Sequence, residues 1–156
     1  EEWLPNLLET GDPGTPKDNK DSESDYWPRL NTEIHAWINW SWSIGEIITF
    51  CHAFSYPHKG AKTTINEGII NIQEVSEHET NKNFHPYQNG IVYRIDNENL
   101  YVAHKDGALK IKKYSKNNED MKIRLGDRLY TPMKKLEESI SRRIQYSPDG
   151  EIFDLN

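Results

Sequence analysis

Apolar side chains fall at helical spacing over residues 44–54, where Ile44, Ile47, Ile48, Cys51 and Phe54 form one stripe. Ser43 and Glu46 stand in front of it as an S-x-x-E pair, in which each side chain satisfies a backbone N–H that the first turn leaves unpaired. Trp42 and Ile47 are spaced to close a hydrophobic staple over that cap, and Pro57 and Gly60 end the helix. From Gly60 onward the period becomes two. Runs rich in Ile, Val, Leu and Tyr predict strands at 61–65, 68–75, 90–96, 99–104, 107–114 and 121–130. Turn residues at Asp96-Asn97-Glu98-Asn99 and Lys105-Asp106-Gly107 make 90–114 a three-stranded meander. Pro132 opens a second amphipathic helix reaching about Gln145, with Met133, Leu136, Ile140 and Ile144 on one face. Ser147-Pro148-Asp149-Gly150 is a turn.

These elements give an α+β fold that is mostly β: a small OB-like antiparallel barrel preceded by a capped helix and followed by a C-terminal helix. An open α+β sandwich satisfies the same pattern. Residues 9–26 carry Gly, Pro, Asp, Ser and Lys with almost no apolar residue and read as a linker. Trp3, Leu4, Leu7 and Leu8 read as the end of a helix whose body lies upstream, and 78–89 as a polar, His-bearing loop. The chain opens at Glu1 rather than Met, which suggests a piece of a longer protein. The expected division is 1–42 as linker and junction from a missing upstream domain, 43–131 as the barrel domain, and 132–156 as C-terminal helix and tail.

Composition narrows the function classes. The chain has 156 residues, a net charge of -6 and a mean hydropathy of -0.90, so one modest core is expected. The acidity sits in residues 1–26, with eight acidic and two basic side chains; the rest of the chain is neutral. Only the stretch from Lys105 to Arg143 is locally basic, with twelve Lys/Arg against six Asp/Glu. A domain that grips a polyanion at long range needs a larger excess, so a nucleic-acid partner is not expected. With one cysteine, Cys51, the chain forms no internal disulfide. No apolar run approaches the roughly 18–20 residues of a membrane span, and the expected location is cytoplasmic.

The stretch Tyr26-Trp27-Pro28-Arg29-Leu30-Asn31-Thr32-Glu33, followed by Ile38-Asn39-Trp40-Ser41, resembles a junction of the methionyl-tRNA and sugar N-formyltransferase superfamily. There an aromatic-x-Arg segment leads through Ile-Asp-Trp into a capped helix that closes with Arg-Ala-Phe/Leu, a Pro and a Gly-Ala. This sequence has His52-Ala53-Phe54-Ser55-Tyr56-Pro57-His58-Lys59-Gly60-Ala61 at that place. Downstream, Gly90-Ile91-Val92, Leu100-Tyr101-Val102-Ala103, Asp106-Gly107-Ala108-Leu109-Lys110-Ile111 and Gly126-Asp127-Arg128-Leu129 are similar to the family's C-terminal domain in order and spacing. The resemblance covers about residues 22–130; Asn39 and His52 depart from its Asp and Arg, and the helix from Pro132 has no counterpart in it.

In that superfamily, an Asn, a His and an Asp of the N-terminal domain carry formyl transfer from 10-formyltetrahydrofolate by acid–base and oxyanion chemistry. The resemblance therefore implies an accessory domain without catalytic residues of its own, 10-formyltetrahydrofolate as cofactor of the parent enzyme only, and an upstream catalytic domain as partner. The neutral globular part favours a nucleotide-linked aminosugar substrate; the alternatives are a methionyl-tRNA formyltransferase C-terminal domain, or a stand-alone OB-type module for nucleic acid or protein. Tyr26, Trp27 and Arg29 at the junction, with Tyr56 and His58 at the end of the helix, are the candidate substrate-binding residues, through stacking on a base and an Arg–phosphate contact. A stand-alone module would instead use Tyr93 and Tyr101 as a stacking platform. Lys110, Lys112, Lys113 and Lys116 read as a solvated hairpin face, with tRNA binding as the sharper alternative. The six histidines show no metal spacing, and Cys51 lies on an apolar face as an inert thiol. The loop 78–89 and the extra helix suggest a specialised surface, such as a homodimer contact.

Overall fold

The computed structural model describes Asp25 and residues 29–154, with backbone alone for the last three. The expected upstream helix end, Tyr26 and Trp27 lie outside the described residues, as does most of the linker. Asn31 caps a short helix, α1 (Thr32–His35), by accepting from the Glu33 and Ile34 N–H groups. The capped helix is present as α2 (Ile44–Ala53), with both bonds of the Ser43/Glu46 box formed. Trp42 lays an edge on Phe50 at 4.9 Å, one turn beyond the expected staple partner. Ile44, Ile47 and Cys51 are the buried stripe of α2, which packs chiefly on the second strand.

Five strands follow: β1 (Ala61–Ile65), β2 (Gly68–His78), β3 (Val92–Asp96), β4 (Asn99–His104) and β5 (Gly107–Lys116). They form one antiparallel sheet in the order β1-β2-β5-β4-β3, which includes the expected meander. Strand β2 is the corner. Its first half pairs with β1, nearly its whole length pairs with β5, and its register shifts between Ile72 and Val75. The bulge moves the inward phase from Ile70 and Ile72 to Val75 and bends the sheet over its own core.

The run 121–130 was expected as a sixth strand, and here the structure departs from the pattern. It is a loop that touches the sheet through isolated bridges. Asp127 Oδ2 accepts from the Arg124 N–H and from Asn66 Nδ2, and Gly126 takes φ +92°, so local turn chemistry replaces a ladder. The apolar alternation that suggested a strand reflects real burial of Met121 and Leu129. This loop nevertheless closes the sheet. Thr64 and Tyr130 exchange N–H···O bonds of 2.8 and 3.1 Å, while Leu129 N–H donates to Gly90 O and Val92 N–H to Asp127 O, each at 2.8 Å. Both free edges, β1 and β3, are thereby joined, and the sheet is barrel-like rather than an open sandwich.

The C-terminal helix, expected to reach Gln145, ends sooner. It spans Met133–Ser141 as α3, and Arg142 turns extended. Ile144, assigned by its spacing to the helix face, instead enters a hairpin of β6 (Ile144–Tyr146) and β7 (Ile152–Asp154) around the expected Ser147–Gly150 turn. The reason is burial. Ile144 is 1% exposed in the hairpin, whereas Met133 and Ile140 on the helix are 67% and 80% exposed. Loop 78–89 holds a single 3-10 turn, Pro86–Gln88, capped by His85.

Two buried polar groups are satisfied by this architecture. Trp40 Nε1 donates to the Thr63 hydroxyl at 2.9 Å, which donates to Tyr130 O at 3.0 Å. His104 is fully buried; its Nδ1 accepts from the Asp106 N–H at 3.0 Å, which leaves Nε2 to donate to Trp42 O at 2.8 Å. Burial lowers its pKa below the ordinary imidazole value; Lys105 acts in the same sense, and the Trp42 carbonyl and Asp106 oppose.

Two predictions follow from closure and from this histidine. A Cβ on Gly90, at φ +90°, would stand 2.1 Å from Leu129 O, whereas one on Gly126, at φ +92°, would meet nothing within 4 Å. Urea unfolding should therefore show Gly90→Ala losing at least about 2 kcal/mol and Gly126→Ala about 1 kcal/mol, the backbone strain alone. Because the unfolded chain takes up a proton that folded His104 resists, its contribution is complete above about pH 6.5 and is lost as pH falls below that value. The urea midpoint should drop between pH 7.5 and 5.5, by less in His104→Gln.

Candidate functional site

The junction between the entering chain, α2 and α3 forms a groove of about 300 Å³. Trp37, Trp42 and Phe50 supply its aromatic walls, Leu30, Leu136 and Ile140 its aliphatic side, and Arg142 and Arg143 the cationic side. Trp37 is held in place by a parallel bridge to Lys62 and by ammonium groups near its ring, Lys62 Nζ at 4.7 Å and Lys135 Nζ at 5.7 Å from the centroid. Lys62 is itself buried, donates to Glu33 O and lies 3.9 Å from Glu33 Oε1. Burial lowers its pKa from the usual lysine value, against the pull of Glu33. Glu33 also pairs with Lys59 at 3.2 Å, which ties the end of α2 to α1.

The sequence-derived candidates do not converge on this groove. Arg29 lays its guanidinium over the Tyr146 ring at 4.6 Å and bridges Ile144. Tyr56, after a stretch leading to a cis bond with Pro57, is 87% exposed, and His58 turns an edge toward Phe54 at 6.5 Å. Tyr26 and Trp27 fall outside the described residues. Trp37, Trp42 and the residues after Pro132 were not singled out as site residues; the signal available was Leu136 and Ile140 one turn apart, just ahead of Arg142-Arg143.

Other surfaces are committed to structure. Tyr101 is 4% exposed, covered by Arg94 at 4.5 Å, His78 at 4.7 Å and Lys110 at 5.7 Å, so it offers no open face for a base. Tyr93 meets Phe84 at 5.0 Å. Within the lysine cluster, Lys116 Nζ donates to Met121 O at 2.8 Å, and Lys112 and Lys113 are exposed. A larger hollow of about 540 Å³ at the β1–β2 turn is lined by Asn66, Asn117 and Asn118, whose amides already hold neighbouring loops.

Both ring nitrogens of His35 are engaged, Nδ1 by the Asn31 N–H at 2.8 Å and Nε2 by Arg142 O at 2.9 Å. Asn39 Oδ1 holds the Ser41 N–H and hydroxyl. Cys51 is buried and its thiol is pushed up to about 12 by desolvation, so it carries no thiolate at neutral pH. Among the described residues no group of His, Cys, Asp and Glu could hold a metal ion, and no helix is long and apolar enough to cross a membrane.

The family model described as "Formyl transferase, C-terminal domain" matches residues 32–125, from the start of α1 to the closing loop. No curated protein matches the chain. The match covers more than half of the chain, and the protein therefore belongs to the formyl transferase C-terminal domain family.

Proposed function

We propose that this chain is the accessory, substrate-positioning or assembly domain of a 10-formyltetrahydrofolate-dependent formyltransferase whose upstream catalytic domain formylates the amine of a nucleotide-linked aminosugar. The observation that carries the accessory role is the family match over a barrel whose junction groove has its histidine and amide already engaged. The described residues do not fit the folate donor: the groove's walls are mostly apolar, and a pterin needs paired polar partners. That donor belongs to the upstream domain. Division of the chain into junction (1–42), barrel domain (43–131) and C-terminal helix and tail (132–156) is part of the same reading. The junction's last part, from Thr32, already lies within the family match and gives Ile38 and Trp40 to the core.

Support for an aminosugar over tRNA comes from charge. The chain after residue 26 is neutral, and two of its clustered lysines, Lys110 and Lys116, are occupied by Tyr101 and by a backbone carbonyl. Tyr26, Trp27, Arg29, Tyr56 and His58 remain the substrate-facing set, and the exposed Met133 and Ile140 of α3 support a homodimer contact. A cytoplasmic location suits a folate-dependent reaction.

The test is formyl transfer by the parent protein and by the 156-residue chain alone, each given 10-formyltetrahydrofolate with a nucleotide-linked 4-amino sugar or with methionyl-tRNA. The parent should formylate the aminosugar, and the chain alone should give no product. Formylation of methionyl-tRNA instead, or tight binding of tRNA by the chain that weakens steeply with salt, would overturn the aminosugar assignment.

A further inference from the structure

Everything after residue 125 lies beyond the family match, yet it makes a regular series of contacts with the segment that leads into the barrel. The two segments run antiparallel. Ile144 bridges Arg29, the Tyr146 ring lies under the Arg29 guanidinium, and the Tyr146 hydroxyl accepts from Asn31 Nδ2 at 3.3 Å. Further along, His35 Nε2 donates to Arg142 O at 2.9 Å and Lys135 reaches the Trp37 ring. Residues 29 and 31 thus meet 144 and 146, His35 meets 142 and Trp37 meets 135, so over its length one segment rises as the other falls. Arg29 is in effect a third strand on the β6–β7 hairpin, whose anchor, Ile144, is 1% exposed.

From this arrangement we infer that residues 132–154 are a strap that fixes the trajectory of the entering chain from Arg29 onward, and that Ile144 and Tyr146 are positioning residues for Arg29. An Arg29 held over the Tyr146 ring and bridged to Ile144 meets a nucleotide phosphate without first being ordered, whereas a released one must be ordered on binding. The kinetic consequence rests on the formyltransferase reading above, whereas the clamp itself does not.

The strap is tested on the full chain and on the parent enzyme. In the chain, Tyr146→Ala should speed tryptic cutting after Arg29 and amide exchange at Leu30–His35 by about tenfold, with exchange in β4 and β5 unchanged. Tyr146→Phe, which keeps the ring under Arg29, should stay within about threefold of the native chain. Ile144→Asp should act like Tyr146→Ala or more strongly. In the parent, Tyr146→Ala should raise KM for the aminosugar nucleotide about tenfold while kcat stays within about twofold, with Tyr146→Phe restoring KM. Unchanged cutting and exchange in Tyr146→Ala would overturn the strap, as would equal loss of protection throughout the barrel, which would make these contacts general stability. A tenfold fall in kcat with KM unchanged would overturn the positioning role. Should the parent formylate no aminosugar, the functional reading fails while the exchange and cutting results still decide the strap.

Discussion

Closure of the sheet at residues 126–130 is the constraint on which the rest of the molecule depends. Five antiparallel strands would leave β1 and β3 as open edges, each a row of unpaired backbone groups. The closing loop satisfies both at once, through Tyr130 on one side and Asp127 and Leu129 on the other. It does so by close approach rather than by a ladder, and for that reason it needs the missing side chain of Gly90 beneath Leu129 O. Tyr130 is also the end of the Trp40–Thr63 relay, so the same residue that shuts the barrel anchors the indole that brings the junction into the core.

Closure then dictates where the chain goes next. Leaving Tyr130, it sets the Thr131 hydroxyl beside that of Thr63, and α3 starts toward Trp37 rather than away from the barrel. The short α3 cannot bury a face of its own; its apolar residues Met133 and Ile140 stay exposed. Its value lies in the route it provides to Ile144, which is buried and bridges the entering chain at Arg29. Junction, barrel and C-terminal hairpin are thus linked at Trp37, Tyr130 and Ile144.

The sequence made the barrel's local elements legible where one signal dominated. Helix α2 was readable to within a residue because the stripe from Ile44 and the Ser43/Glu46 box agree. The meander was readable because period-two runs alternate with Asn97-Glu98 and Asp106-Gly107 turns. Reading failed where burial and secondary structure part company. Met121 and Leu129 are buried from a loop, and Ile144 continues the α3 stripe by spacing alone while belonging to a strand. Of the site, Arg29 was singled out from its aromatic-x-Arg setting as a candidate phosphate contact. Its actual partner, Tyr146, was not, because an antiparallel contact across more than a hundred residues leaves no periodic trace.

Charge placement is better understood once the closed fold is known. The local excess of lysine and arginine between Lys105 and Arg143 looks, on the sequence, like one basic stripe. In the fold it is dispersed into separate tasks. Lys105 caps the Ser41 and Trp42 carbonyls, Lys110 and Arg94 cover Tyr101, Lys116 holds the 119–121 loop, Arg128 donates to Tyr87 and Asn89 carbonyls, and Lys135 sits on Trp37. A side chain fixed by a carbonyl or a ring keeps its charge but loses the freedom to follow a phosphate backbone, and binding a polyanion would first have to displace it. Five of the twelve cations in that stretch are thus braces of the closed fold, while Lys112 and Lys113 stay exposed on β5.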